Sequence, residues 1–412
     1  MKFLIPFLLF SMLTVQPVIS QEGKTINSIT FSGTYTSLPW YNLKGGLEKG
    51  FVYMDNLDVS ATLQFGNILD WEDNLTFYAY GIGNHGGKAT QLMGDFQVAS
   101  NIQAPASWKF FEVWVQKNFF DGKYSVLAGM YDLNSEFDIL IPATYFINSS
   151  FGIGAEYAQS GLNGPSIFPY SSLALRFTGK IHDQLLVKLA VLDAVPGDPT
   201  DPDANPVRLS AEEGALLAGE ISFYPYRGHQ ISQRDIERRD VTRRVKVGRK
   251  RPENNFDKIN IGGWYYTSDF QVINDTARSS HGNKGIYVGA QKYLYLPNKK
   301  SGHISFFARY GIASAKFNRL SSALSGGIEI TEIFGNDQAG LAFTSGFNGE
   351  PFLEVNPHLR KSETAIEFHY MYYVTSFFTV QPDIQYIIQP NSDDQIPNAL
   401  SFSLLAQISV DI

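Results

Sequence analysis

Residues 401–412 read SFSLLAQISVDI. Phe402, Leu404, Ala406, Ile408, Val410 and Ile412 alternate with Ser401, Ser403, Gln407, Ser409 and Asp411, and Leu405 breaks the pattern. Successive side chains of a strand point to opposite faces, so this segment has one apolar face and one polar face. A soluble sandwich would bury the apolar face in a core. An outer-membrane barrel turns it to lipid and keeps the polar face on an aqueous lumen. The rest of the chain decides between the two.

The other terminus reads as an export signal. Met1 and Lys2 form a positive start, residues 3–15 are mostly apolar, and Val18-Ile19-Ser20 precede a cut before Gln21. Residues 1–20 are then a secretory signal, too short to span a bilayer as a helix. Residues 21–412 remain as one barrel domain. With 44% hydrophobic residues and mean hydropathy of -0.13, a helical membrane protein is excluded. A barrel escapes this test because only every second residue meets lipid. The chain has no Cys, so it must be held by hydrogen bonding and burial, as a closed barrel is. Its 22 Tyr and 31 Phe suit the aromatic girdles of such barrels. A net charge of -7 gives no reason to expect a nucleic-acid partner. No cofactor is expected.

Period-2 segments recur along the chain and do not fit a helix. In residues 303–310, Ile304, Phe306, Ala308 and Tyr310 alternate with His303, Ser305, Phe307 and Arg309. In residues 365–374, Ile366, Phe368, Tyr370, Tyr372 and Val374 alternate with Glu367, His369, Met371 and Tyr373. About sixteen such segments are predicted: 26–36, 56–66, 73–82, 108–118, 123–131, 170–179, 184–192, 217–225, 257–267, 285–296, 301–311, 324–334, 338–346, 363–374, 377–388 and 399–411. The fold class is therefore all-β, a transmembrane antiparallel barrel whose even strand number leaves an aqueous lumen. Short links at 119–122, 179–183, 297–300, 334–337 and 375–376 alternate with long ones at 83–107, 132–169, 193–216 and 347–362. Periplasmic turns are short and outer loops long, so a periplasmic C-terminus puts all the short links on one side. One link, 227–256, is long and basic although it falls on the short side. It reads as a solvated insertion, or as a patch for anionic lipid, peptidoglycan or a periplasmic partner.

The segment 127–176, LAGMYDLNSEFDILIPATYFINSSFGIGAEYAQSGLNGPSIFPYSSLALR, holds the longest expected outer loop. It is expected to fold into the lumen and narrow it. Asp132, Asn134, Glu136, Asp138 and Asn148 offer acceptors and amides for hydroxyl groups. Tyr131 and Phe137, with Tyr145, Phe146 and Phe151, offer flat surfaces for the CH faces of a sugar ring. The alternative is that these side chains hold the loop to itself and to the wall. Arg176, Arg309, Glu112 and Glu367, inward by alternation, are the further candidates for the constriction.

The stretches GMYDLNSEFD, FINSSFGIG and AQSGLNGPSIFP, together with QPDIQYIIQP at 381–390, resemble the carbohydrate-selective porins of the OprB type. Weaker echoes are Gly219-Glu220, Gly262-Gly263-Trp264-Tyr265, and Gly285 with Tyr287. The resemblance covers essentially the mature chain. It implies a sixteen-stranded barrel in the outer membrane of a Gram-negative bacterium, passing mono- or oligosaccharides by diffusion. Two departures stand out. Ile412 replaces the aromatic residue that ends many barrels, which bears on recognition by the barrel-insertion machinery, and the insertion at 227–256 is longer than the family's tight turn there.

Other chemistry is weakly signalled. His303 and His369 face inward without a motif joining them to a nucleophile, so no enzyme is expected. Asp198, Asp201 and Asp203 echo a calcium loop, but Pro199, Pro202 and Pro206 and the lack of a closing Glu favour a plain loop, and no metal is expected. The inward charge is mixed: Arg176, Lys188 and Arg309 with Asp58, Glu112, Glu220, Glu367 and Asp383. A phosphate pore would need a ladder of cations. This mixture suits neutral sugars, with outer-membrane lipid around a monomer or a homotrimer. It also suits a general diffusion pore, and a scaffolding or adhesive barrel is the remaining alternative.

Overall fold

The structure is a computed structural model that describes residues 29–65, 75–198, 200–204, 212–225, 257–296 and 302–412. The expected signal 1–20 and basic insertion 227–256 lie outside them. Among the described residues, eighteen strands form. They are β1 (Ile29–Lys44), β2 (Gly50–Gln64), β3 (Leu75–Gly86), β4 (Ser107–Phe119), β5 (Tyr124–Tyr131), β6 (Ser172–His182), β7 (Leu185–Asp193), β8 (Ala215–Phe223) and β9 (Lys258–Tyr266). Then follow β10 (Phe270–Val272), β11 (Asp275–Ser280), β12 (Lys284–Tyr295), β13 (His303–Ala313), β14 (Leu320–Thr331), β15 (Asp337–Asn348), β16 (Ser362–Tyr373), β17 (Phe378–Ile388) and β18 (Ala399–Asp411). Sixteen of them close one antiparallel barrel, with β18 paired to β1, while β10 and β11 form a separate hairpin.

Closure removes every edge of the barrel sheet, so no backbone donor or acceptor of its ladder is left facing lipid. The facing follows the alternation. On β18, Phe402, Leu404, Ile408 and Val410 are 36–51% exposed, whereas Ser401, Ser403 and Gln407 are 1% exposed. The apolar stripe is the outer surface. Leu405 points inward and packs in a small apolar cluster with Leu38, Trp40 and Met54.

Each predicted strand is present within a few residues, except that the first two run further than expected. β1 continues through Ser37-Leu38-Pro39-Trp40-Tyr41-Asn42. Proline lacks the N–H a central strand needs, and the ladder between β1 and β18 passes over Leu38 and Pro39. Pro382 is accommodated likewise, where the β16–β17 ladder is interrupted between His369↔Asp383 and Tyr372↔Val380. The links 120–123, 183–184, 332–336 and 374–377 share one rim. The opposite rim carries 87–106, 132–171, 267–283 and 349–361, and also the brief 45–49 and 314–319, which the length rule does not anticipate.

Candidate functional site

Residues 132–171 leave β5 and return in its neighbour β6, yet the segment crosses the bore. Around the ring, β16 lies seven strands from β5 one way and nine the other. The loop nevertheless reaches it: the Ile147 and Asn148 N–H groups donate to the Glu367 carboxylate at 2.5 and 2.9 Å. Asn148 Nδ2 donates to Gln385 Oε1 on β17 at 3.3 Å, and Gln381 Nε2 donates to the Tyr145 carbonyl at 3.0 Å.

The inner wall supplies an acceptor for the loop backbone at each station. Glu112 takes the Asp132 N–H at 3.1 Å, Glu220 the Asp138 N–H at 2.8 Å, and Gln291 the Ile141 N–H at 2.8 Å. Lys258 Nζ donates to the Ile139 carbonyl at 2.9 Å, and Lys188 Nζ to that of Glu136. Hydrogen bonds with an ionised partner contribute about 1.5–3 kcal/mol each. A run of them holds at a fixed depth a segment whose own regular structure is limited to single helical turns at 133–135, 141–145, 149–151 and 155–158.

The strongest tie is at Arg309 on β13. Its Nε and Nη2 donate to Asp138 at 3.0 and 2.8 Å, and its Nη1 and Nη2 to Glu156 at 2.9 and 2.6 Å. Asp138 adopts a left-handed backbone with φ of 58°, a conformation Asp tolerates better than most residues. A Cβ at Gly154 would fall on the Arg309 guanidinium, and one at Gly311 on the Glu156 carboxylate. Gly154, the second glycine of FGIG, is therefore a matter of close approach. On the other flank, Arg176 is buried and donates to Ser125, Gln116 and Glu136 at 2.6, 2.6 and 3.0 Å.

Within the loop, Asp132 caps a short turn by accepting from the Asn134 N–H at 3.0 Å. Asn134 Nδ2 reaches the carbonyls of Phe137 and Gly152 at 2.7 and 3.2 Å. Asn148 Oδ1 accepts from the Ser150 N–H at 3.1 Å. Tyr131 and Phe137 are buried among Tyr78, Tyr80 and Trp264, and Tyr157 stacks on Trp264 at 5.1 Å between centroids. Tyr131, Phe137 and Tyr157 thus lean on β3, β4, β9 and β12, while Phe146 and Phe151 pack on Phe307 of β13.

Asp132, Asn134, Glu136, Asp138, Asn148, Tyr131, Phe137, Arg176, Arg309, Glu112 and Glu367 all lie inside the barrel and are buried. The structure joins Glu136 to Arg176, Asp138 to Arg309, Asn148 to Glu367 and Asp132 to Glu112. Tyr131 and Phe137 belong to the aromatic packing. The wall acceptors Glu220, Gln291 and Glu363 and the loop acid Glu156 are additional partners. Alternation marks the first three as inward, but only ring closure shows what they meet.

A second inward segment, 87–106, was expected only as a long link. Glu363 on β16 accepts the Phe96 and Gln97 N–H groups at 2.9 and 3.0 Å, and the Asn391 N–H at 2.6 Å. The Asn101 N–H donates to the Ile147 carbonyl at 2.8 Å, so the two segments touch. Burial pushes the Asp95 carboxyl up to about 6. An acid raised in the fold binds its proton more tightly there than in the unfolded chain. Its contribution is fullest below about pH 4 and is lost as pH rises through about 6. Proteolysis of this segment is expected to speed up across that window and to lose the dependence in Asp95→Asn. A flat profile in the parent chain would refute the assignment.

Among the described residues, no group of three or more His, Cys, Asp or Glu side chains is placed to hold a metal ion. Asp203 instead accepts the Trp108 N–H at 2.7 Å, and Asp198 the Thr200 N–H at 2.9 Å.

The sequence model of the carbohydrate-selective porins, OprB family, matches residues 48–409. Porin B of Pseudomonas aeruginosa is 24% identical over 388 residues, covering 87% of this chain and 82% of that protein. Among solved structures, OprB of Pseudomonas putida at high pH superposes with a TM-score of 0.77 at 19% identity, covering 93% of this chain and 94% of that one. Its low-pH structure gives 0.56 at 18% identity, covering 93% of each chain. The family match runs from β2 to β18 and takes in the inward loop: the chain belongs to the carbohydrate-selective porin family, OprB type, and is an outer-membrane pore.

Proposed function

We infer that residues 132–171 form the constriction through which neutral sugars diffuse, unchanged, and that the charged candidates act by holding this loop rather than by touching solute. The cross-bore attachment of Ile147 and Asn148 to Glu367 carries this reading, because it fixes a loop against the far wall of its own barrel. A sugar loses hydrogen bonds to water on entry, and the pore must replace them without retaining the sugar. Asp132, Asn134, Glu136, Asp138, Asn148, Arg176, Arg309, Glu112 and Glu367 set the loop's position. Tyr131 and Phe137 seat it on the aromatic wall.

Liposome swelling with a panel of sugars, charged solutes and amino acids tests this. Sugars are expected to enter faster than charged or amino-acid solutes of equal size. Equal rates would leave a general diffusion pore, and no swelling a scaffold. Asn134→Ala with Glu136→Ala removes the ties to Phe137, Gly152 and Arg176. This pair is expected to weaken sugar block and discrimination while small-ion conductance persists or rises. Asp198→Ala with Asp201→Ala is the control, and an equal loss there would move the constriction elsewhere.

A further inference from the structure

The rim of short links exposes more aromatic surface than turns in water call for. Of its four links, three present a phenylalanine: Phe120 is 77% exposed, Phe334 87% and Phe377 51%. Turns facing water are built mostly from Gly, Pro, Asn, Asp and Ser. Phe334 lies in the link from β14 to β15 and Phe120 in that from β4 to β5. The two links are eight strands apart in either direction, on opposite sides of the ring.

The link from β4 to β5 shows how the ring is aimed. The Lys123 N–H donates to the Phe120 carbonyl at 3.1 Å, closing a turn over Asp121 and Gly122. Their φ values of 54° and 77° are those that Asp-Gly favours in a tight hairpin. Phe120 is left-handed as well, with φ of 53°. A bulky side chain is an outlier there, and Asn would suit the backbone better. The Phe120 ring stands edge-on to Tyr124, with centroids 5.9 Å apart, and Tyr124 stacks on Phe177 at 6.0 Å. Tyr124 and Phe177 alternate with the inward Ser125 and Arg176, so they face outward. Gly179 makes room for them, since a Cβ there would meet Tyr124 at 2.9 Å. Phe120 thus carries the lipid-facing surface past the end of the strands. The exposed Lys123 holds its ammonium 5.4 Å from the centre of the Tyr124 ring, within cation–π range.

We propose that this rim is docked in the membrane interface, with Phe120, Tyr124 and Phe177 against the glycerol and upper acyl chains of a phospholipid and Lys123 at its phosphate. Continuity with the lipid-facing wall selects the occupant. Amphipathic rings and lysine stems settle where acyl chains give way to headgroups, and a lysine beside an anionic lipid surface is drawn to it. The burial of the ring in lipid offsets the unfavourable backbone at Phe120. Phe334 seats the opposite side of the same rim, so the mouth there lies level with the headgroups and does not stand clear of them.

The chain has no Cys, so Asp121→Cys gives a single attachment point for a nitroxide beside the intact Phe120. In vesicles of phosphatidylcholine and phosphatidylglycerol, this label is expected to collide readily with oxygen and to lose most of its collisions with an aqueous nickel chelate. A label at Leu162→Cys, exposed on the inward loop, is the reference for free chelate access. Adding Phe120→Asn and Lys123→Gln is expected to restore most chelate collisions at position 121. Asn suits the left-handed backbone, so the turn still forms, and a heat-dependent gel shift verifies the barrel. Chelate access at 121 equal to that at 162 overturns the docking. So does a label shielded from oxygen and chelate alike, which would mean that a second copy or another protein covers the rim. Protection that survives both substitutions overturns the assignment to Phe120 and Lys123.

Discussion

Arg309→Met is expected to release residues 132–171 from the wall, raising salt conductance and abolishing discrimination among sugars. Arg309 spreads one guanidinium over Asp138 and Glu156, both buried. Removing it leaves two carboxylates facing each other in a low-dielectric site. Breaking a buried pair from one side costs about 3–5 kcal/mol. The sheet hydrogen bonds of β13 do not depend on this side chain, so the loop gives way before the barrel does. Protease sensitivity near Gly154 is expected to rise with the conductance. Arg309→Lys keeps the charge but not the planar fork and is expected to fall between. Unaltered conductance and protection in the Met variant would show that the other anchors suffice.

Leu404→Arg is the second large effect. Leu404 is the sixth of thirteen residues in β18, near its middle, and faces outward. Arg on the lipid face near the bilayer midplane costs about 2–4 kcal/mol, falling toward the interfaces. The variant is expected to insert poorly and to unfold at lower urea in lipid vesicles. Gln407→Ala, three residues on and facing inward, gives up one hydrogen bond to Thr36 and is expected to lose well under half as much. Equal losses at the two sites would contradict the facing of β18.

The barrel was legible because lipid enforces alternation on every strand. Where lipid does not act, the signal fades. β11 is exposed along nearly its whole length and shows no alternation, and the β10–β11 hairpin was not anticipated. Pro39 hid the outer part of β1, because the tolerance of a skipped ladder position is a property of the pairing and not of the residue. For the loop, residue types pointed to an inward, polar, aromatic segment. They did not reveal partners, since Ile147 and Glu367 are 220 residues apart in sequence and meet only when the ring closes. Segment 87–106 carries no comparable run of aromatic and acidic residues, so nothing local marked it as inward.

Glu363 and Glu367 stand four residues apart on the inner face of β16, and each grips a different inward segment. β16 follows both segments in the chain, so their ties to Glu363 and Glu367 cannot form until the second half of the barrel has formed. The constriction proposed for residues 132–171 is thus completed late, and on that reading a partly inserted barrel would be wider and less discriminating than the finished one. The same arrangement sets a rule for redesign. Grafting a relative's loop onto this barrel transfers its shape only if the wall acids that receive its amides travel with it, so the exchangeable part is the loop together with its sockets on distant strands.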